Sequence, residues 1–439
     1  MPIDANALAA RRARIFTEME RLGGGVMVLP AAEEKGRNAD SEYLFRQDSD
    51  HAWVTGLDEP QGCALLVARG GERRYVLFVR PRDKEKEIWN GVRVGVEGAK
   101  ERLGADEAYT VAGMDEKLPE WLNGAPALWY RLGFDAAWDA RIVRIVGELR
   151  AGVRLAKRAP GAVVDPGRIV HELRLVKGPE EIAILRRAAA ISAEAHMQAM
   201  RDGQAGRREG QVQAEIEYLF RRRGGTGPGY GTIVAAGANS TILHYRAGDA
   251  VLEDGQVCLV DAGGEVDWYT ADISRTFPVS GEFSRAQRDL YEACLGVQKK
   301  AVLAVRPGAT LDGIHDEVVR GLTDAMIRLG LLTGSVDERI ADKSFRRYYM
   351  HRTSHWLGMD VHDAGDYYVD GKPRPLVPGM VLTIEPGLYV GADDEAAPKE
   401  MRGVGIRIED DVLVTEGGQE NLTAAAPKEV AEIEAVCVR

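Results

Sequence analysis

Cysteine is scarce in this chain, four residues in 439, and Cys63, Cys258, Cys294 and Cys437 are scattered along it. That spacing excludes a small disulfide scaffold. Cys258 lies in an apolar run where a reduced thiol packs as a small hydrophobe, so a cytoplasmic setting is expected. Long hydrophobic runs are also missing: no stretch approaches the roughly 18 apolar residues of a membrane span. The N-terminal MPIDANALAARRARIFTEMERLG has no apolar signal core and reads as an amphipathic surface helix. No basic block with interleaved aromatics is present, and 57 Lys and Arg against 68 Asp and Glu leave a net charge of −11. Neither nucleic acid nor a membrane is therefore an expected partner.

What remains is globular material, 45% hydrophobic and 28% charged, whose length gives two or three domains at roughly 100 to 200 residues each. Up to about Pro160, short apolar runs (VMVLPA at 26–31, CALLVA at 63–68, RYVLFV at 74–79) alternate with helical patterns, which predicts an α/β domain. The stretch APGAVVDPGRIVHELRLVKG at 159–178 reads as Pro and Gly punctuation around a short polar segment. We place the domain boundary there, with domains 1–172 and 173–439. Pro179 then opens a helix with Glu180 and Glu181 at its positive end and Ile182, Leu185 and Ala189 in an apolar stripe. Ser284 and Gln287 form a capping-box pattern for a helix stopped by Pro307-Gly308, and another helix runs from near Thr310 to about Gly330.

The second domain repeats itself. GQVCLVDAG at 255–263 matches GMVLTIEPG at 379–387 at an offset of 124, so that Asp261 and Glu385 take the same place. In each copy a buried strand ends in a carboxylate and a Gly turn, as expected of one unit used twice around a pseudo-twofold axis. Each copy is followed by further acids. Strand alternation after Asp261 puts Asp272, Ser274 and Thr276 opposite Ile273, Phe277 and Val279. Across GIRIEDDVLV at 405–414 the same period puts Arg407, Glu409 and Asp411 opposite Ile406, Ile408 and Asp410. Four carboxylates beside buried runs repel one another unless a cation sits between them, and divalent metal is the economical answer. Four of the eight histidines, His244, His351, His355 and His362, fall in two short segments that each precede one copy of the repeat. That clustering predicts a shared cavity. The run GGTGPGYGT at 224–232 lacks the Lys of a phosphate-binding loop and a preceding strand, and reads as a flexible loop.

The strings HELRLVKGPEEI, DAGGEVDWYTADISRTFPVSGEFS, SHWLGMDVHD, GMVLTIEPGLYV and GIRIEDD, with RNADSEYLFRQDSD at 37–50, resemble the pita-bread metallopeptidases, in particular their Xaa-Pro aminopeptidase branch. The resemblance implies an α/β (α+β) chain. It has an N-terminal creatinase-like α/β domain for substrate access and oligomerisation, then a catalytic pita-bread domain with an internal pseudo-twofold repeat. It implies Asp261, Asp272, His355, Glu385 and Glu409 as ligands of two divalent metals, Asp272 and Glu409 bridging. Four carboxylates against two divalent ions leave a bridging water easily deprotonated, and that hydroxide is the expected nucleophile. Oxygen-rich ligation with one imidazole suits manganese, with zinc or cobalt as alternatives. By the same resemblance Glu385 doubles as proton shuttle and His244 and His362 bind substrate and stabilise the tetrahedral intermediate. His351 walls the proline site, and Tyr389 and Arg407 support the ligands. Trp89 matches a residue that family members project toward a neighbouring subunit, a buried core position being the other reading. The expected substrates are peptides with proline second, and the expected assembly is a homodimer or homotetramer.

The chain departs from the family pattern at Arg246, Ala247 and Gly248, where the branch commonly has an acid and asparagine, and at Arg352, where a small glycine is usual. These put the breadth of accepted peptides in doubt. An Xaa-Pro dipeptidase shares the metal site and differs in the room beyond proline. A creatine-type amidinohydrolase generally lacks this ligand set. A noncatalytic pita-bread module that binds protein partners remains as the reading from another class.

Overall fold

The computed structural model describes residues 4–437. The chain divides into two compact units, one up to Leu173 and one from Arg174. That division falls inside a helix, Gly167–Leu175, formed by residues that read in the sequence as a punctuated polar segment. Its Ile169, Val170 and Leu175 are buried, so the apolar face lies between charged residues and is short enough to escape a periodicity reading. The second unit accordingly begins ahead of the Pro179 helix. Among the described residues, no helix is long and apolar enough to cross a membrane.

In the first unit a six-stranded sheet runs in the order Glu107–Thr110, Glu72–Val79, Cys63–Arg69, Gly25–Pro30, Leu128–Trp129, Val163–Val164. The central pairs are antiparallel and the flanking ones parallel. The central strands are buried on both faces, which is why they read as continuous apolar runs rather than alternating ones. One face, carrying Val26, Val28, Leu65, Val67, Val76 and Phe78, packs on Leu118, Leu122, Trp138, Ile142, Ile145 and Leu149. The N-terminal helix Ala5–Arg21 buries Leu8, Ile15, Phe16 and Met19.

The second unit uses one scheme twice. Helices Pro179–Asp202 and Glu209–Arg222 precede the antiparallel sheet of Ile233–Ala236, Val257–Asp261 and Ser274–Pro278. Helices Arg285–Ala304 and Leu311–Arg328 precede the antiparallel sheet of Val381–Ile384, Asp410–Thr415 and Gly418–Asn421. The Ser284–Gln287 capping box and the Thr310 cap form as the sequence predicts. In the Pro179 helix Leu185 and Ala189 are buried with Ile184 and Ala188, while Ile182 lies at the edge of the stripe. The turns that end the two equivalent strands require glycine. A Cβ on Gly263 would stand 1.7 Å from Ala271 O, and one on Gly387 would stand 2.8 Å from Ile406 O. Each turn is buttressed at the matching carbonyl: His196 Nε2 bonds Ala262 O at 3.0 Å, and Cys294 Sγ donates to Pro386 O at 3.3 Å.

Three local expectations are corrected. The segment 405–414 is not one strand, because Val404–Arg407 pairs with Gly387–Val390 while Asp410–Thr415 pairs with Val381–Ile384. Ile408 and Glu409 form the crossover between these sheets, which carries Glu409 off any strand face. Asp272 likewise precedes its strand, which starts at Ser274. The glycine-rich segment 224–232 is ordered: Gly227–Pro228 pairs with Gly264–Val266 and Gly229 N–H donates to Gly263 O at 2.9 Å. Its glycines allow close approach, since a Cβ on Gly229 would lie 2.0 Å from Thr270 Oγ1.

Candidate metal centre

Both copies deliver acids to one cavity of roughly 1420 Å³, lined among others by Asp261, Asp272, His244, His351, His355, His362, Glu385, Arg407 and Glu409. Ligand atoms of Asp272, His355 and Glu409 all lie within 4.8 Å of one another. His355 Nε2 is 3.4 Å from Asp272 Oδ2 and 3.6 Å from Glu385 Oε1. Its Nδ1 is 3.0 Å from Trp356 O, a bond that leaves Nε2 to face the acids.

A shell of side chains fixes the acids. Arg407 donates to Asp261 Oδ2 at 2.6 Å, to Ser274 Oγ at 2.9 Å and to Tyr389 Oη at 3.1 Å. Ser274 Oγ in turn donates to Glu409 Oε2 at 2.7 Å. The Asp272 N–H reaches both oxygens of Asp411, at 3.2 and 3.1 Å. Thus the polar face that strand alternation assigns to Ser274 points at the centre. Tyr230, from the glycine-rich segment, donates to Asp261 Oδ1 at 2.7 Å and to Asp272 Oδ1 at 2.5 Å. Sequence reasoning missed Tyr230 and Ser274. The available signal for Tyr230 was an aromatic among glycines, immediately before the strand that pairs with Val257–Asp261.

The remaining sequence candidates divide between the two units. His351 Nδ1 stands 3.6 Å from Glu385 Oε2, and its Nε2 bonds Tyr389 Oη at 2.9 Å. The ring of His362 meets that of His355 edge to face at 4.4 Å, and His244 lines the same cavity. Arg407 and Tyr389 are buried, so neither is an ordinary surface pair. Arg352 and Arg246 both line the cavity. The Arg352 guanidinium is ion-paired with Asp312, which also accepts from Tyr368 Oη at 2.7 Å. Trp89 sits on the helix Lys84–Asn90 of the first unit and is 86% exposed, which excludes the core reading.

The electrostatics favour a cation. Burial, opposed by His355 and reinforced by Asp272, pushes the Glu385 carboxyl up to about 7. Burial and then the Asp272 and Glu385 charges hold Glu409 well above the carboxylate range. Burial also raises Asp272, with Asp261 adding to the shift. His355 rises to about 9: burial opposes its charge, but its bond to Asp272 and the charge of Glu385 outweigh that cost. Carboxylates outnumber cations here, and divalent ions among them would turn mutual repulsion into attraction. The donor set, hard oxygens with one imidazole, fits such ions.

A cavity of this kind in a duplicated α/β scaffold marks a metal-dependent hydrolase. The chain belongs to metallopeptidase family M24, whose model matches residues 183–416, and the aminopeptidase P N-terminal domain model matches residues 8–129. It is 43% identical to the Xaa-Pro aminopeptidase of Escherichia coli (strain K12) over 98% of this chain and 97% of that one. It is 35% identical to Xaa-Pro aminopeptidase 3 of Homo sapiens over 91% of this chain and 78% of that one. Among solved structures it resembles Pseudomonas aeruginosa aminopeptidase PepP, with TM-score 0.96 and 43% identity over 99% and 98% of the two chains. It also resembles Zn-substituted E. coli aminopeptidase P in complex with product, with TM-score 0.96 and 42% identity over 100% and 99%.

Proposed function

We propose that the chain removes the N-terminal residue from peptides whose second residue is proline. The observation that carries this reading is the convergence of Asp272, His355 and Glu409 within 4.8 Å, with Glu385 3.6 Å from His355, in one large cavity. The full-length likeness to Xaa-Pro aminopeptidases supports it over the dipeptidase and binding-module readings.

Asp261, Asp272, His355, Glu385 and Glu409 would hold two divalent ions, which when bound would supply an activated water and polarise the scissile carbonyl. Manganese is our choice of ion, with zinc or cobalt as alternatives. Glu385 takes the proton of the attacking water and passes it to the leaving proline nitrogen. His244 and His362 bind substrate and stabilise the developing oxyanion. His351 forms a wall of the proline site, its Nε2 bonded to Tyr389 Oη at 2.9 Å. Arg407 orients Asp261 and gives it a fixed counter-charge.

We assign 1–172 to substrate access and oligomerisation and 173–439 to catalysis. The assembly is a homodimer or homotetramer in which the exposed Trp89 is offered to a neighbour. The four cysteines, all buried and free of disulfides, are consistent with a cytoplasmic setting.

The test is release of the first residue from a matched Xaa-Pro dipeptide and Xaa-Pro-Xaa tripeptide, with manganese and with a chelator control. Chelator-sensitive cleavage of the tripeptide at a comparable or higher rate is expected. Cleavage of the dipeptide alone reassigns the chain to the dipeptidases, and cleavage of neither returns it to the binding modules.

A further inference from the structure

The segment from His355 to Asp363 carries two of these histidines and holds them differently. His355 is held directly: its N–H donates to Thr383 Oγ1 at 3.2 Å and its carbonyl accepts from Thr383 N–H at 3.0 Å. His362 is exposed, and no hydrogen bond among the described residues fixes its ring. Its place depends on the backbone beside it.

That backbone is anchored at the next residue. The Asp363 N–H donates to Trp356 O at 3.0 Å, closing the segment into a loop. Its carboxylate, 1% exposed, accepts from Arg174 at 2.6 Å and from Lys177 Nζ at 2.9 Å. Arg174 also donates to Asp360 Oδ2 at 2.9 Å. Close approach depends on Gly358, where a Cβ would stand 2.2 Å from Asp363 Oδ2. Both cations come from the LRLVKG portion of HELRLVKGPEEI and the loop from SHWLGMDVHD, two strings that the ligand set leaves largely without a role.

We infer that Asp363, clamped by Arg174 and Lys177, is a positioning residue that sets where His362 stands over His355. The inference rests on the substrate-stabilising role given to His362. Asp363 itself touches neither the cavity's ligands nor substrate; it acts through its neighbour.

The test uses the metal-loaded, full-length enzyme and the variants Asp363→Asn, Lys177→Met and Lys177→Arg. In the first two, kcat on an Xaa-Pro-Xaa tripeptide falls by on the order of 10- to 100-fold, with KM held within about threefold and metal content unchanged. Lys177→Arg keeps the charge and restores most of the rate. Introduced into His362→Ala, Asp363→Asn lowers kcat no further, whereas an additive loss overturns the proposal. A readout independent of turnover is the crystal structure of Asp363→Asn, or of Lys177→Met should the first not fold. His362 is displaced while His355 keeps its place, and an undisplaced His362 overturns the proposal. A wild-type chain that cleaves no Xaa-Pro peptide would sink the functional reading alone, because this structural readout would still decide the positioning.

Discussion

The two copies of the repeated strand end in acids with opposite surroundings. Asp261, closing the first, is gripped by the Arg407 guanidinium at 2.6 Å and the Tyr230 hydroxyl at 2.7 Å. Glu385, closing the second, has among the described residues only longer approaches to His351 and His355, each 3.6 Å away, and its carboxyl is pushed up to about 7 by burial. The two equivalent strands end in carboxylates at the same place; an arginine and a tyrosine clamp the one, while burial raises the carboxyl of the other. The lesson is that symmetry of backbone does not impose symmetry of chemistry. The division of labour lies in what each acid touches.

The largest effect expected from breaking this asymmetry is at Glu385. Glu385→Ala should lower kcat by at least about 10³-fold, because both the ligand and the shuttle role proposed for it are lost, while circular dichroism reports a folded chain. Retained turnover would remove the shuttle assignment. Arg407→Met strips Asp261 of its counter-charge and should weaken metal binding by roughly 10- to 100-fold in a competition titration with a chromogenic chelator. An unchanged affinity would mean that the tight grip on Asp261 is incidental.

The buttresses behind the two turns sharpen the same contrast. His196, behind Asp261, has its pKa lowered from 6.5 to about 4 by burial, the bond to Ala262 only partly offsetting it. Because the folded value lies below the unfolded one, the unfolded chain takes up the proton first. The stabilisation is therefore complete above about 6.5 and lost as pH falls toward about 4. It amounts to roughly 2 kcal/mol between pH 7 and pH 5. A His196→Gln variant should flatten the pH dependence of unfolding in urea by about that amount. Cys294, behind Glu385, carries no charge in this range, since burial raises its thiol further. Cys294→Ala should cost only about 1 kcal/mol with no change in pH dependence. A pH-dependent loss there would contradict the contrast.

The sequence made some of this legible and hid the rest for physical reasons. The repeat was readable because a buried strand, an acid and a turn glycine form a local pattern, and 257–261 and 381–384 fold as that pattern requires. The N-terminal strands were readable because burial on both faces writes itself as an unbroken apolar run. Strand alternation put Asp272 and Glu409 on polar strand faces, yet both sit on links beside strands. Both line the cavity, but alternation cannot reveal where a chain leaves one sheet for another. Tyr230 and Ser274 escaped because their significance lies in partners 31 to 42 and 135 residues away. Arg174 and Lys177 stood inside a noticed motif, but the carboxylate that explains them lies nearly two hundred positions further on.

Three of the bonds that orient the acids cross from one copy to the other. Arg407 of the later copy holds Asp261 of the earlier one, Ser274 of the earlier holds Glu409 of the later, and Asp411 of the later receives the Asp272 N–H. The same wiring makes the present molecule a natural subject for fragment complementation. Severed between its two repeats, it would be silent in each piece and restored only on reunion.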